Sequence, residues 1–219
     1  MNIDFGRPFT FLFEDQDWTK KLLMGFLYGL GSLLCYAGLI GLFGYQKRLL
    51  LATADGQDVP LPEFDPGQDF VEGLKVLVIV LGYYSPAIVL YLCGGLGGAI
   101  LGGAAGDDDI GAIVTVGAYC FALPLFLAGQ FLIPVGIIRF ADQNSVGAAF
   151  QVGEVISTVR ENFVNVLLVF VIKIATGMVA QFTVLLFCIG IFAGLAWAKM
   201  AEAHAYGQLL RIVRQKRVA

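Results

Sequence analysis

Four long runs of apolar residues alternate with shorter polar segments along the 219-residue chain. The runs cover roughly residues 22–45, 74–103, 110–138 and 163–198. A helix that crosses the hydrocarbon core of a bilayer needs about 20 apolar residues, and each run exceeds that length. The pattern therefore predicts membrane-embedded helices.

Composition strengthens this prediction. Hydrophobic residues make up 58% of the chain and charged residues 14%, whereas soluble domains contain about 45–50% apolar and about 25% charged residues. The hydrophobic core of a 219-residue chain cannot bury this excess of apolar residues, so lipid must cover part of it. The expected fold class is all-α, a polytopic α-helical membrane protein.

The basic residues predict how the chain crosses the bilayer, because Lys and Arg near membrane segments favour the cytoplasmic side. Setting Lys173 aside leaves thirteen of the 14 basic residues, and these flank the runs. The gap between the second and third runs, 106–109, contains none. Four plain spans place at most eight of the thirteen in the cytoplasm. Treating the first and fourth runs as helical hairpins places all thirteen there.

The hairpin arrangement predicts about six membrane helices, counting hairpin arms, with both termini cytoplasmic. It divides the chain into a polar head at 1–18, a single integral membrane domain at 19–210 and a basic tail at 211–219. The membrane domain then comprises a hairpin at 19–51, a loop at 52–73, helices at 74–103 and 110–138, an interfacial stretch at 139–162 and a hairpin at 163–210. Turns are expected near residues 35–38 and 188–190. Whether the two hairpins cross fully or are re-entrant stays open.

Two shorter segments carry helix signals of their own. Asp65 as N-cap, Pro66 at N1 and Gln68 at N3 predict a helix start with a capping box, and this helix continues into the second run. Within 139–162, apolar residues recur near helical spacing, which predicts an amphipathic helix broken near Gln151. That helix lies either in the membrane interface or against the underside of the protein.

The loop 60–65 is a candidate docking surface for a partner protein. It could equally be a packed loop that caps the bundle, and the structural role is favoured. The residues concerned are Pro60, Pro62, Glu63, Phe64 and Asp65.

Lys173 is the one ionisable residue well inside an apolar run. A charge at membrane depth costs about 2.5–3.5 kcal/mol on insertion scales and often marks function. Thr176, Gln181 and Gln130 could offer polar partners for a site in transport or proton movement. The alternatives are a structural polar contact or a side chain that snorkels to the interface.

Other polar groups do not combine into a recognisable reaction centre, and we expect no catalytic residues, cofactor or metal. Asp107–Asp109 reads as a solvated loop, because three adjacent carboxylates do not converge on one ion without further ligands. His204 has no nucleophile at a recognisable spacing. The four cysteines lie inside the runs with no C-x-x-C pair, and we expect small buried apolar residues: Cys35, Cys93, Cys120 and Cys188.

Several short motifs resemble a known family. They are Gly44-Tyr45-x-x-Arg48, then Gly56-x-x-x-Pro60-Leu61-Pro62-Glu63-Phe64-Asp65, then Phe70-Val71-x-Gly73-Leu74-Lys75. Together with Ala148-Ala149-Phe150, Glu154-Val155 and Arg160, they resemble the domain of unknown function 4013 family, polytopic membrane proteins of archaea and bacteria. Phe64 stands where that family usually has Trp. The resemblance implies membrane location and membership, but no activity.

These observations favour a non-enzymatic integral membrane protein, a scaffold or a membrane-complex or assembly component. The alternative is a small transporter or channel that uses Lys173. Expected partners are the lipid bilayer of the cell membrane and a membrane protein or a second copy of the chain. Nucleic acid is not expected, because the basic tail is short and lacks interleaved aromatic residues.

Overall fold

The structure is a computed structural model, and it describes residues 3–35, 37–57, 59, 61–183 and 190–218. These residues are mostly helical and form no strand among themselves, which confirms the all-α fold class. Three of the described helices are long and apolar enough to cross a membrane: Pro66–Ala105, Asp108–Gln143 and Phe163–Phe182. The chain is an α-helical membrane protein.

The helices follow one another with short connections. In chain order they are α1 (Arg7–Thr10), a 3₁₀ turn (Phe11–Glu14), α2 (Trp18–Cys35), α3 (Ala37–Ala54), α4 (Pro66–Ala105), α5 (Asp108–Gln143), α6 (Val146–Ala149), α7 (Val152–Glu161), α8 (Phe163–Phe182) and α9 (Gly190–Val218).

The chain forms two compact units. One, called the body, consists of Met1–Ile79 and Pro134–Ala219; the other, called the long hairpin, is Val80–Ile133. Helices α4 and α5 each contribute residues to both units.

Helix α9 is the centre of the body, where it packs against α2, α3 and α8. Nearly every residue from Ala196 to Val213 is buried or half-buried. Alanines at 196, 198, 201, 203 and 205 let the neighbouring helices approach this helix closely. A helix enclosed by other helices does not need a lipid-facing apolar surface, so α9 can carry polar residues such as Glu202 and His204.

The turn predicted in the first apolar run lies where expected, because α2 ends at Cys35 and α3 begins at Ala37. The described part of α8 ends at Phe182, and α9 begins at Gly190. The rest of the turn predicted in the fourth run, including Cys188, lies outside the described residues.

The predicted start of α4 is confirmed with one change in its cap. The Asp65 carboxylate accepts hydrogen bonds from the backbone N–H groups of Gly67 and Gln68, both at 3.1 Å. The reciprocal bond runs from the Asp65 N–H to the carboxylate of Asp69 at 3.0 Å. Asp69, one residue further on than Gln68, therefore closes the box.

The stretch predicted as interfacial contains two short helices, α6 and α7, separated at Phe150 and Gln151. Helix α7 buries Val155 and Val159 and exposes Val152 and Ile156. The break near Gln151 is thus confirmed, while the placement of α7 at the membrane surface stays a prediction.

The residues predicted as a basic tail continue α9 as far as Val218. Arg211 bonds to the backbone carbonyls of Thr53 and Ala54 at the end of α3. Arg214 donates to Asp142 at 2.7 Å, and Arg217 donates to the same carboxylate group at 2.9 Å. These cations therefore hold the last turns of α9 against the end of α3 and the end of α5.

The expectation of buried cysteines is wrong for Cys93 and Cys120, which are free and exposed on the long hairpin. Both stand on helix faces that no neighbouring helix of the described chain covers. The side chain of Cys35 and the whole of Cys188 lie outside what the structure describes.

Candidate functional site

The loop that precedes α4 is packed against α2 and α3. The Phe64 ring stacks on the Tyr45 ring with a centroid separation of 4.0 Å and an angle of 4°, and it lies 5.0 Å from the Tyr28 ring. The Tyr45 hydroxyl donates to the Pro62 carbonyl at 3.1 Å. Of the predicted docking residues, these contacts hold Pro62 and Phe64 in place.

The remaining docking candidates differ in position. Glu63 and Asp65 are exposed, and Asp65 caps α4. Pro60 lies outside the described residues. Pro62 and Phe64 are therefore packed while Glu63 and Asp65 are open to solvent, and a docking role for this loop stays a prediction.

A buried ion pair ties the N-terminal head to the same loop. The Asp15 carboxylate, 3% exposed, accepts hydrogen bonds from Lys21 Nζ and from the Leu61 N–H, each at 2.7 Å. Lys21 also donates to the Leu61 carbonyl at 2.8 Å. Burial acts to raise the pKa of Asp15, but the hydrogen bonds from Lys21, Leu61 and Asp17 outweigh it and hold the pKa below its usual range.

Helices α3 and α4 cross at two glycines. A Cβ added to Gly73 would stand 2.6 Å from the Ile40 carbonyl carbon and 3.1 Å from the Gly44 nitrogen. A Cβ added to Gly44 would stand 2.7 Å from the Asp69 Cα. Only glycine allows the two backbones to come this close.

Charged side chains surround this crossing and pair across it. The buried Asp69 carboxylate of α4 lies 2.7 Å from the Arg48 guanidinium of α3. Lys47, also buried, donates to Glu72 on α4 at 2.6 Å and to Asn144, which follows α5, at 2.6 Å. We call this arrangement of Tyr45, Lys47, Arg48, Phe64, Asp69 and Glu72 around Gly44 and Gly73 the α3–α4 joint.

The comparisons with known proteins gave a family match whose range includes the residues of this joint. The family model of a protein of unknown function, DUF4013, matches residues 27–189. The chain belongs to the DUF4013 family. The comparison with curated proteins gave no match, and neither did the comparison with solved structures.

Five of the motif residues that suggested the DUF4013 family meet in space at the joint. Gly44, Tyr45 and Arg48 come from α3, Phe64 from the loop, and Gly73 from α4. Each of them either permits the helix crossing or contacts a neighbour across it. In this DUF4013 protein this part of the motif therefore describes how two helices and a loop are joined.

Lys173 lies near the middle of α8 and interacts electrostatically with Glu202 and Lys199 on α9. Glu202 is buried and accepts hydrogen bonds from Lys199 Nζ at 2.8 Å and from Gln46 Nε2 at 3.4 Å. Sequence reasoning missed Glu202 as a neighbour of Lys173. Residues 173 and 202 approach only because α8 and α9 pack against each other, and no local pattern shows that.

The residues predicted as partners of Lys173 take different positions in the structure. Thr176 is buried, and its hydroxyl donates to carbonyls of its own helix, to Ile172 at 3.0 Å. Gln181 is exposed and stands eight residues further along α8, about 12 Å at 1.5 Å per residue. Gln130 belongs to the long hairpin.

His204 has a packing role. Its buried ring stacks on Phe11 with centroids 4.3 Å apart, and its Nδ1 lies 3.2 Å from Gln208 Nε2. No group of three His, Cys, Asp or Glu side chains in the described residues is placed to hold a metal ion.

In the long hairpin, small residues allow α4 and α5 to approach closely. A Cβ on Gly98 would stand 2.6 Å from the Gly111 carbonyl oxygen, and one on Gly102 would stand 3.2 Å from the Gly111 Cα. At the end of this hairpin Asp107 accepts a hydrogen bond from the Asp109 N–H at 2.9 Å. All three aspartates there are exposed, but Asp108 and Asp109 form the first turn of α5 and are not part of a loop.

An open apolar groove of about 440 Å³ lies between the two arms of the long hairpin. Inside it the rings of Tyr91 and Tyr119 stack with centroids 4.3 Å apart and an angle of 6°. The lining residues are Ala87, Ile88, Tyr91, Leu92, Tyr119, Ala122, Leu123 and Phe126.

Proposed function

We propose that this DUF4013 protein is a non-enzymatic integral membrane protein that acts by binding another membrane protein, as a scaffold or as a component or assembly factor of a membrane complex. The observation that carries the proposal is the way in which the charged groups of the body are used. At the crossings of its helices, charged side chains pair with one another: Lys47 with Glu72, Arg48 with Asp69, and Arg214 with Asp142.

The joint illustrates this use of charge. Arg48 pairs with Asp69, and Lys47 pairs with Glu72. A buried carboxylate that serves as a general acid or base must reach a substrate proton, but these carboxylates already accept bonds from cations of the neighbouring helix. Such pairs hold the helices in one arrangement, which suits a protein whose task is to present a surface.

The long hairpin supplies a surface of the right kind. Its arms expose large apolar side chains, including Leu96, Ile100, Ile113 and Phe121. Membrane helices associate through close packing and interhelical hydrogen bonds, and the groove offers stacked aromatic rings with two hydroxyl groups. A helix of a partner membrane protein fits this combination.

Location at the cell membrane, with both termini in the cytoplasm, forms part of the proposal. The long hairpin, Val80–Ile133, contains no Lys or Arg, whereas the remainder of the sequence holds all 14. Basic residues favour the cytoplasmic side, so this distribution supports a cytoplasmic location for the flanking loops and an external location for Asp107–Asp109.

Co-purification tests the proposal. The tagged full-length protein is extracted in mild detergent, and bound proteins are identified by mass spectrometry. Ile88, 40% exposed, lines the groove, whereas Ile113, 71% exposed, does not. We expect Ile88→Trp to fill the groove and lose a specific partner that Ile113→Trp retains. The absence of any specific partner, or equal retention by both variants, would contradict the proposal.

A second candidate function is transport through a site that includes Lys173. The observation that favours it is the cluster of the half-buried Lys173 and Lys199 with the buried Glu202, and Gln46 alongside. Lys173→Met should abolish flux into vesicles if this function is correct. Lys75→Met is the matched control, because Lys75 is 38% exposed and pairs with Glu72 outside this cluster. Equal flux in the wild type and in Lys173→Met would exclude Lys173 from transport.

A further inference from the structure

We infer that α2 and α3 form a re-entrant hairpin, which dips into one leaflet of the bilayer and returns to the face from which it entered. The lengths of the two arms and the charges at their base support this path through the membrane. The path does not depend on the proposed partner protein.

The return arm is too short to cross. Helix α3 begins at Ala37, and the polar sequence Gln46-Lys47-Arg48 begins nine residues later. The apolar stretch before Tyr45 is eight residues long, about 12 Å at 1.5 Å per residue. The hydrocarbon core is about 30 Å thick.

The entering arm is also shorter than the bilayer. Lys21 near the start of α2 is bound to Asp15 and to the Leu61 carbonyl. From Lys21 to Cys35 at the end of the helix is fourteen residues, about 21 Å. Both arms therefore end well inside the core if their bases lie at its edge.

Exposed charges place the base of the hairpin in water. The Tyr45 hydroxyl bonds to Pro62, and the next residue, Glu63, is exposed. Lys47 bonds to Glu72, which also binds Lys75, a lysine with 38% of its side chain exposed. Lys20 on α2 is exposed as well. Exposed ions cannot face hydrocarbon without a large cost, so water reaches the protein at the level of Tyr45 to Lys47.

Between its base and its turn, the hairpin has one side that faces lipid and one that faces protein. Leu23, Leu27 and Leu30 are exposed at helical spacing along α2. On another face of α2, a Cβ on Gly25 would stand 2.8 Å from the Ala196 Cβ, and one on Gly29 would stand 3.0 Å from the Phe192 Cβ. Helix α9 thus braces the hairpin, and the leucine side is left for the acyl chains of one leaflet.

The long hairpin shows what a crossing requires. Its arms, 80–105 and 108–133, have 26 residues each, about 39 Å. Apart from Asp108 and Asp109 at the turn, the two arms contain no charged residue. The same chain therefore holds an uninterrupted hairpin long enough to cross and a shorter one interrupted by charge.

Side-specific thiol labelling tests the inference. Ala37→Cys stands beside the turn, and Lys20→Cys, at an exposed position at the base, is its control. Each variant of the full chain is treated in sealed vesicles with a membrane-impermeant maleimide on one face or the other. Peptide mass spectrometry locates the modification, so the native cysteines can stay. We expect Lys20→Cys to react from one face and Ala37→Cys to react from neither.

A depth measurement gives a second readout. A fluorophore attached at Ala37→Cys in reconstituted vesicles should be quenched most by lipids that carry a nitroxide deep in the acyl chain. Modification of Ala37→Cys from either face, or strongest quenching by headgroup nitroxides, would overturn the inference. If the hairpin crosses fully, the maleimide should modify Ala37→Cys from the face opposite to the one from which Lys20→Cys reacts.

Discussion

The Gly73→Ala substitution probes the α3–α4 joint most sharply. The added Cβ would stand 2.6 Å from the Ile40 carbonyl carbon and closer still to the carbonyl oxygen. The obstacle is backbone, so no side-chain rotation relieves the clash. Overpacking of this kind costs about 1–3 kcal/mol and occasionally more. We expect a loss at or above the upper end of that range.

Gly103→Ala is the matched control on the same helix, because a Cβ there has nothing within 4 Å. An alanine in an open helical position is favoured over glycine by about 0.5–1 kcal/mol. Thermal unfolding of both variants in the same detergent measures the difference. At about 2–4 °C per kcal/mol for a chain of this size, Gly73→Ala should melt several degrees below the wild type and Gly103→Ala at or above it. Equal midpoints for the two variants would refute the close crossing.

Three further predictions concern the contacts around the joint. Asp15→Asn should lower stability by about 3 kcal/mol, because it leaves the Lys21 charge buried without its partner. The pKa of Asp15 is lowered in the folded protein. Its contribution to the free energy of unfolding is therefore complete above the unfolded pKa of about 3.9 and is lost as the pH falls through the native pKa. Asp15→Asn should flatten that part of a plot of unfolding free energy against pH. Phe64→Trp should keep the stack on Tyr45 and the wild-type melting midpoint, while Phe64→Ala should lose the stacking energy of about 0.5–1.5 kcal/mol and the buried area besides. Asp65→Ala removes the N-cap of α4 and should cost about 1 kcal/mol, measured by chemical unfolding, whereas an effect below the error of that measurement would contradict the cap.

The long apolar runs, the caps and the first hairpin turn could be predicted because each depends on local sequence. Asp65 and Pro66 mark where α4 begins, and the small residues near Ala37 indicated where α2 gives way to α3. The break at Gln151 likewise follows from the local pattern of apolar residues.

The pairs at the joint could not be predicted in the same way. Arg48 meets Asp69, and Lys173 comes near Glu202, only after distant helices pack. The exposure of Cys93 could not be predicted either. An apolar run does not reveal which of its faces meets protein and which meets lipid. The family motif helped because five of its residues, although separated in sequence, lie together at the joint.

The arrangement of the chain across the bilayer is tested most directly by labelling three exposed positions from each face of sealed membranes. Gln57→Cys precedes α4, Asp108→Cys lies at the turn of the long hairpin, and Arg160→Cys lies in α7, which follows α5 in the chain. Gln57→Cys and Arg160→Cys should react with an impermeant thiol reagent from the cytoplasmic face, and Asp108→Cys should react from the other. Reaction of Asp108→Cys from the cytoplasmic face, or of Gln57→Cys and Arg160→Cys from different faces, would contradict the account.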